Sequence, residues 1–459
     1  MIKLYETSLH LPAIPGNVNL LEYFAGQVKA NLPHDTLPIR FVITRSDETS
    51  YHTELGVLER DASLAIPAGD SIFRFARRPI ENTREFNAVL LVPTGIGAVI
   101  GGHAGDATPV SRLLASVCDN LITHPNVVNA SEINEMPENT LYAEGSVICR
   151  LLMGTIGLQK VRSNRVLTVI EKHPTDELFV NGAINSVNAA RASAGLDCSQ
   201  ILVLDPTMRL IAEYSPSGRA VGRVEQLENL FEKLHTHRTE YDVVAIVSII
   251  KIPTRQLHAQ YFESDGEMVN PWGGVEAILT HTVSSLYNVQ SAHSPMIGDQ
   301  LVSNVDVGVV DARKAAEAIS FTYMQCILKG LQRAPRIVTD SHAMQHHSVI
   351  TAADVSCLVI PDGCIGLPTL AALEQGIPVI AVRENTNIME NDLTALPWAR
   401  NQLHMVGNYL EALGVMAALK NGIAIDTLRR PLANAQINDE VRQSSRKVHL
   451  PMKKISVAG

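Results

Sequence analysis

Short apolar segments alternate with amphipathic segments along most of the 459-residue chain. Continuous apolar runs, such as residues 242–250 and 355–360, predict buried strands, whereas apolar residues spaced three and four positions apart predict helices. Strands that alternate with helices are typical of parallel sheets built from β-α-β units. The pattern therefore predicts an α/β fold of two lobes, with mainly parallel, doubly wound sheets and a cleft between the lobes.

Polar stretches interrupt this pattern and indicate where domains end. One stretch runs from Ser215 to Arg219, and another follows the amphipathic segment 224–234. We predict an N-terminal α/β domain at residues 1–240, a C-terminal Rossmann-like domain at 241–426 and a polar, basic tail at 427–459. Such a charged tail is usually a solvated arm, and the alternative is a subunit contact.

One segment combines a strand, a glycine-rich loop and a helix start. An apolar run at residues 87–92 is followed by five glycines within residues 95–107, here called the glycine loop, and then by Thr108-Pro109. Threonine followed by proline is a typical helix N-terminus, where free amides and the positive end of the helix dipole attract anions. We predict that this backbone holds a phosphate or carboxylate, with Gly101, Gly102 and Thr108 as binding residues. The alternative is a turn that serves only tight packing of the strand against the helix.

Two titratable side chains lie inside the glycine loop. Histidine has an unperturbed pKa near neutrality, so His103 is a candidate general acid or base. Asp106, three residues later, is a second catalytic candidate that would orient His103 or bind a cation. The glycine spacing does not match the dinucleotide fingerprint, and no Gly-Lys-Ser/Thr sequence of a P-loop follows.

Further polar side chains follow predicted strands. Functional groups gather at the carboxyl ends of strands in α/β folds, which makes Glu144 a catalytic candidate and His124 and Asn129 substrate-binding candidates. The alternatives are that His124 and Asn129 satisfy buried backbone groups and that Glu144 caps a helix. Asn181, near a predicted helix start, would face a polar ligand or serve as a cap.

The segment 355–386 predicts a strand, a glycine turn, a short helix and a second strand. In this segment Arg383 is expected to clamp a carboxylate or phosphate through two hydrogen bonds. The alternative is a generic α/β unit that ends in solvent-exposed charges. The substrate-binding candidates of this segment are Asp362, Gly363, Arg383, Glu384 and Asn385.

The composition of the chain argues against some classes of binding partner. The net charge of −9 argues against a nucleic-acid-binding surface, and no run of 18 apolar residues predicts a membrane span. Six scattered cysteines without a C-x-x-C pair, and an N-terminus without an apolar signal core, favour the cytoplasm. The spacing of His281 and His293 matches no zinc motif, so we predict no metal site and leave the cofactor unknown. The apolar segment 312–332 could lie in an interface, which would make the protein a homo-oligomer.

Two resemblances add to these predictions. The C-terminal segment resembles the C-terminal half of two-Rossmann-domain glycosyltransferases, and more closely that of UDP-N-acetylglucosamine 2-epimerases, which implies nucleotide binding there. The whole chain resembles an uncharacterised bacterial family catalogued only as a domain of unknown function, at residues 93–107, 124–129 and 361–385, and this resemblance implies no reaction. The residues that match the epimerase pattern are Gly376, Pro378, Val379, Arg383, Glu384 and Thr386.

Three functions are therefore consistent with the sequence. The first is a cytosolic enzyme that acts on an anionic small molecule, phosphorylated or amino-acid-like, in a cleft between two α/β lobes, by group transfer or ligation. The second is a nucleotide-sugar epimerase or glycosyltransferase-like enzyme. The third is a non-catalytic small-molecule-binding or assembly subunit. A serine hydrolase is not expected, because the chain has no Gly-x-Ser-x-Gly sequence.

Overall fold

A computed structural model describes most of the chain, which divides into two compact units, Met1–Ala417 and Ala418–Gly459. Most basic residues of the predicted tail, from Arg442 to Lys454, lie outside the described part. The described residues are 2–14, 18–59, 67, 69–129, 136–252, 260–264, 268–296, 307–319 and 323–435.

Nineteen strands and eleven α-helices can be delimited in the described residues. The strands are β1 (Lys3–Pro12), β2 (Thr36–Ser46), β3 (Ser50–Glu59), β4 (Asn87–Leu90), β5 (Asn120–Thr123), β6 (Thr140–Tyr142), β7 (Gly157–Gln159), β8 (Val166–Glu171), β9 (Gln200–Leu204), β10 (Arg209–Tyr214), β11 (Ala220–Glu225), β12 (Val243–Lys251), β13 (Gln290–Met296), β14 (Arg336–Val338), β15 (Val349–Ile350), β16 (Val355–Pro361), β17 (Ile365–Gly366), β18 (Val379–Val382) and β19 (Leu403–Val406). The helices are α1 (Leu20–Asn31), α2 (Thr108–Ala115), α3 (Pro125–Val128), α4 (Gly145–Leu152), α5 (Glu177–Ala194), α6 (Glu228–Thr236), α7 (Gly273–Tyr287), α8 (Ala312–Ile319), α9 (Tyr323–Arg333), α10 (Leu367–Gln375) and α11 (Tyr409–Lys420).

The first large sheet is entirely parallel. Its order is β19-β18-β16-β4-β5-β6, and every neighbouring pair runs parallel. All residues of β4, β5, β16 and β18 are buried, which explains why these strands read as continuous apolar runs. The predicted α/β class is confirmed. Because β4 and β16 are neighbours, residues 87–142 and 355–406 share one sheet, and a division at residue 240 does not coincide with the strand pairing.

The second large sheet has ten strands and is mixed. Strands β17, β2, β3, β1, β11 and β10 follow one another in antiparallel pairs, whereas β12 pairs in parallel with β10, β8 and β13, and β8 pairs in parallel with β9. The prediction of mainly parallel sheets is therefore wrong for this region. Partly exposed and buried residues alternate along most of β2, as in antiparallel strands. The Ser215–Arg219 stretch is a hairpin turn between β10 and β11.

The helix α7 packs against the antiparallel part of this sheet and thereby fixes the position of the loop before it. Its buried residues Val275, Ile278 and Leu279 belong to the same apolar cluster as Leu4 and Leu210. The helix approaches the sheet closely because it begins with glycine: a Cβ atom on Gly274 would lie 2.2 Å from the carbonyl oxygen of Ala220. No helix among the described residues has the length and apolar character needed to cross a membrane.

Candidate functional site

A cavity of about 990 Å³ opens at the carboxyl ends of strands from both large sheets. Residues that follow β4, β5 and β6 line it, and so do residues at the ends of β8, β12 and β13. The first turn of α7 also contributes to the lining. Small molecules bind at the carboxyl ends of parallel strands, and the volume is typical of small-molecule sites. This cavity is therefore the candidate functional site.

Glu144 and His281 form a buried pair at the cavity. Glu144 follows β6, and His281 lies on α7. A hydrogen bond joins His281 Nδ1 to Glu144 Oε1. The other carboxylate oxygen accepts from the backbone N–H and the hydroxyl of Ser146, so Glu144 is also the predicted cap of α4. The carboxylate is thus held at both oxygens.

The Glu144–His281 pair presents its imidazole to the cavity. Burial alone would raise the pKa of Glu144, but the charge and hydrogen bond of His281, together with the bonds from Ser146, lower it. Glu144 is therefore ionised beside the ring. The His281 side chain is 16% exposed and that of Glu144 2%, and His281 Nε2 has no hydrogen-bond partner among the described residues. A carboxylate that fixes Nδ1 leaves Nε2 to exchange protons with a bound molecule.

Glu276 and His293 form a second pair with the opposite arrangement. His293 Nδ1 lies 2.9 Å from Glu276 Oε1, and His293 Nε2 lies 2.8 Å from the hydroxyl of Ser248. The His293 side chain is 1% exposed and that of Glu276 25%. Here the carboxylate faces the cavity, and the buried imidazole contacts it from the side of the protein interior. Since Glu276 and His281 are both on α7, one helix presents a carboxylate and an imidazole to the same space.

His124 and Asn129, both substrate-binding candidates, also line the cavity. His124 Nε2 accepts a hydrogen bond from the Val92 N–H at 3.1 Å, and burial lowers the pKa of the ring to about 4. Asn129 Oδ1 accepts from the Tyr142 hydroxyl at 2.9 Å. His124 therefore satisfies a backbone group, as the structural alternative proposed, whereas Asn129 accepts from a side chain, and both still border the cavity.

Three amides of the glycine loop, those of Ile100, Gly101 and His103, are bonded to side chains of the protein. The N–H groups of Gly101 and His103 donate to Asp106 Oδ1 at 2.9 and 3.3 Å, and the Ile100 N–H donates to Asn385 Oδ1 at 2.9 Å. Burial raises the pKa of Asp106 to about 7 in spite of these bonds. A side chain of the loop itself and one from the 361–386 segment occupy the places expected for an anion. The predicted start of α2 at Thr108 is confirmed.

His103 is placed beside the cavity, not in its lining. Its Nδ1 lies 2.8 Å from the hydroxyl of Tyr261, which in turn donates to Glu317 at 2.7 Å. Burial, with the nearby charges of Arg313 and Lys314, lowers the pKa of His103 to about 4. The ring is therefore neutral at pH 7 and already bonded. Of the loop, Gly95, Gly102 and Ala104 are the residues that reach the cavity.

The remaining candidates lie away from the cavity. Asn181 is exposed on α5, which begins at Glu177 rather than near Asn181. Arg383 and Glu384 are exposed at the end of β18. The Asp362 and Gly363 carbonyls accept hydrogen bonds from Asn387 and Asn391. These residues therefore face other protein groups or solvent.

Sequence reasoning considered His281 and His293 only as possible metal ligands and connected neither of them with a carboxylate partner. His281, Glu276 and His293 lie more than 130 residues from Glu144, and a long-range pair leaves no local spacing to detect. The one available signal was the Trp-Gly-Gly helix start that carries Glu276 and His281. Among the described residues no group of three or more His, Cys, Asp or Glu side chains could hold a metal ion.

Comparison with known proteins identifies the family of this chain. Residues 87–429 match the family described as "Protein of unknown function (DUF3326)". The chain belongs to this family. It is also 30% identical over 342 residues to an uncharacterized lipoprotein of Synechococcus sp. (strain ATCC 27144), a match that covers 74% of this chain and 92% of that protein. No solved structure matches the chain.

The DUF3326 match includes the whole candidate site. Every residue that lines the cavity, from Thr94 to Tyr323, falls within it, whereas β1, β2 and β3 precede it. The predicted resemblance to a domain of unknown function is thus confirmed. The resemblance of the C-terminal segment to UDP-N-acetylglucosamine 2-epimerases stays a prediction.

Glu171, at the end of β8 in the DUF3326 region, should make stability depend on pH. Burial raises its pKa from 4.5 to about 7. The protonated form is favoured in the folded state, so this stabilisation is complete below pH 4.5 and is lost as the pH rises through about 7. Relative to Glu171→Gln, the wild type should lose about 3 kcal/mol of unfolding free energy over that range. Urea titrations at several pH values measure this, and equal pH slopes for the two proteins would contradict it.

Proposed function

We propose that this chain is an enzyme that catalyses acid–base-assisted group transfer on an anionic small molecule bound in the cavity. The observation that carries the proposal is the hydrogen bond between His281 Nδ1 and Glu144 at the cavity wall. A histidine oriented in this way is typical of general bases. The proposal includes the predicted cleft, with the two large sheets as the bases of the two lobes.

The chemistry would divide between two groups of α7. His281 Nε2 would remove the proton from an attacking hydroxyl or amine, and the ionised Glu144 would stabilise the imidazolium that forms. Glu276, held from behind by His293, would serve as the second proton carrier at the leaving group. Group transfer requires both events, because a proton leaves the nucleophile and one is needed by the departing group.

The preference for an anionic substrate is supported by the cavity lining. The first turn of α7 borders the cavity at Trp272 and Gly273, and a helix N-terminus carries partial positive charge. Lys251 borders the cavity at the end of β12. In the glycine loop, by contrast, the N–H groups of Gly101 and Ile100 are bonded to Asp106 and Asn385.

Location and assembly are separate proposals that do not depend on the site. The sequence predicts a cytoplasmic protein and leaves a homo-oligomer open. The Synechococcus relative is named a lipoprotein, and a lipid-attached location for this chain is the competing proposal. Cell fractionation followed by detergent extraction separates the two, because only a lipid-attached protein requires detergent for release.

The experiment that tests the function is a metabolite screen read in two ways. Phosphorylated, carboxylated and neutral compounds are first ranked by the shift they cause in the melting temperature, since a ligand at about 100 times its Kd adds about 2.7 kcal/mol. Each hit is then incubated with the protein, with and without candidate acceptor amines and alcohols, and followed by mass spectrometry. We expect anionic hits and conversion of at least one. Hits that bind but are never converted would support the non-catalytic alternative.

A further inference from the structure

The His173 ring, which lies just beyond β8, carries a buried donor without an acceptor. The ring lines the cavity and is 6% exposed. Its Nδ1 accepts hydrogen bonds from the backbone N–H groups of Asp176 at 2.9 Å and Thr175 at 3.3 Å, which places the ring proton on Nε2. Nε2 is buried and has no hydrogen-bond partner among the described residues. Leaving such a donor unpaired is unfavourable, so an acceptor from a ligand is expected.

Lys251 is a cation at the same end of the cavity. It is the last residue of β12, the parallel neighbour of β8, and its charge acts on the carboxyl of Glu171, two residues before His173. Two other cationic side chains of the lining are already paired, Lys172 with Asp205 at 2.8 Å and Arg209 with Glu225 at 3.4 Å. Lys251 makes no ion pair with any described residue.

Glu171 does not neutralise this end of the cavity. Its two carboxylate oxygens accept from the backbone N–H groups of Met208 at 2.6 Å and Ile249 at 3.0 Å. Burial also raises its pKa to about 7, so at neutral pH it carries only part of a negative charge. The charge of Asp205 is balanced by Lys172. The balance of charge around His173 and Lys251 is therefore positive.

We propose that His173 Nε2–H and the Lys251 ammonium form an oxyanion subsite, which binds the phosphate or carboxylate of a small molecule at the ends of β8 and β12. The inference rests on the proposed function, because it names the residues that recognise the charge of that substrate. It also relocates the anion site from the glycine loop to the other sheet. The reacting part of the molecule would then lie towards His281 and Glu276, which border the same cavity.

Binding of simple anions tests the subsite without knowledge of the substrate. The chain has two tryptophans, and Trp272 lines the cavity, so Trp398→Phe leaves one fluorescent reporter at the site. Inorganic phosphate, acetate and neutral glycerol are titrated into this protein at constant ionic strength set with chloride. We expect phosphate, acetate or both to change the fluorescence and glycerol to have no effect, and the relative strength of the two anions distinguishes a phosphate subsite from a carboxylate subsite.

Matched variants identify the binding groups. Lys251→Met and His173→Asn should each weaken anion binding about tenfold or more, because each removes a charged or buried hydrogen-bond donor. In His173→Asn the side-chain oxygen replaces Nδ1 as the acceptor for the Thr175 and Asp176 amides. His173→Gln instead places a donor near the position of Nε2 and should restore most of the anion binding. Lys172→Met/Asp205→Asn removes a neutral ion pair from the same lining, serves as the control, and should change the Kd less than about twofold. Circular dichroism and melting temperature establish that each variant is folded, and Lys251 is an exposed position whose variant does not depend on core packing.

Three results would overturn the subsite. The first is that no anion changes the fluorescence of Trp272. The second is equal anion affinity in the wild type, Lys251→Met and His173→Asn. The third is an equal loss of affinity in Lys172→Met/Asp205→Asn and Lys251→Met. None of them bears on turnover. If these variants bind anions like the wild type while a His281 variant loses turnover, the subsite is wrong and the enzymatic proposal stands. If anion binding is lost as expected but no compound is ever converted, the subsite stands and the enzymatic proposal fails.

Discussion

His281→Asn should lower kcat about 100- to 10,000-fold for any compound that the protein converts, the range that a general base contributes. Asparagine keeps a donor for the Glu144 carboxylate but has no atom at the position of Nε2. Binding should persist, because the anion-recognising groups are elsewhere in the cavity. The measurement is a comparison of kcat with the Kd of the same compound in the wild type and the variant.

A matched control separates loss of chemistry from general damage. His342 is exposed and does not line the cavity, so His342→Asn should leave both kcat and Kd unchanged. Unchanged kcat in His281→Asn would remove this histidine from the mechanism. A parallel loss of compound binding and melting temperature would instead indicate that the residue is structural.

Arg219→Ala should destabilise the protein by about 3–5 kcal/mol, the usual result of removing one partner from a buried ion cluster. Arg219 is 2% exposed and pairs with Glu6 at 3.2 Å and with Glu54 at 3.3 Å. Arg40 also pairs with Glu6, whereas Glu54 makes its direct ion pair with Arg219, so loss of Arg219 leaves Glu54 without such a contact among the described residues. Urea unfolding at pH 7 measures the difference.

The same experiment has an internal control in a solvent-exposed pair. Arg223 lies 3.4 Å from Glu213 at the surface of the same hairpin, and Arg223→Ala should cost at most about 1 kcal/mol. Equal losses of unfolding free energy in Arg219→Ala and Arg223→Ala would contradict a larger contribution from the buried ion cluster. The cluster matters to the site because the next residue, Ala220, donates its N–H to the Gly95 carbonyl at 2.9 Å and packs against Gly274 at the start of α7.

Local features of the fold were predictable because a few neighbouring residues determine each of them. The apolar runs that became β4, β12 and β16 and the threonine–proline start of α2 are signals of this kind. The partners of each strand are not local. Nothing in residues 87–90 specifies that β4 pairs with β16, more than 260 residues later, and this pairing joins two segments that the sequence assigns to different domains.

The candidate site was predictable in part for the same reason. Strand ends are local signals, and so the sequence alone points to Glu144, His124 and Asn129, all of which line the cavity. The glycine loop was misjudged because its occupants are long-range or internal: Asn385 comes from across the sheet, and Asp106 folds back onto its own loop. Arg383 has the right chemistry for an anion clamp, but it is exposed at the end of β18, outside the cavity lining.

The role of the glycine loop changes accordingly. Asn385 bonds the Ile100 carbonyl, the Ile100 N–H and the Tyr409 hydroxyl, and so it ties the loop to the C-terminal strands. The loop forms part of the cavity wall, at Gly102 and Ala104, and these contacts hold it in place. Four of its five glycines, Gly95, Gly97, Gly101 and Gly102, lie in close packing: a Cβ on Gly102 would lie 2.0 Å from the Ala98 carbonyl oxygen. Such packing was the alternative raised from the sequence.

We propose that Glu144 acts in catalysis through His281, and a double-mutant cycle on kcat is the sharpest test of this coupling. Glu144→Gln, His281→Asn and the double variant are compared with the wild type on one converted compound. Residues that act as a unit give non-additive losses. We expect Glu144→Gln to lower kcat about 100-fold or more in the wild type but to cause no further loss in the His281→Asn background. Losses that multiply in the double variant would contradict it.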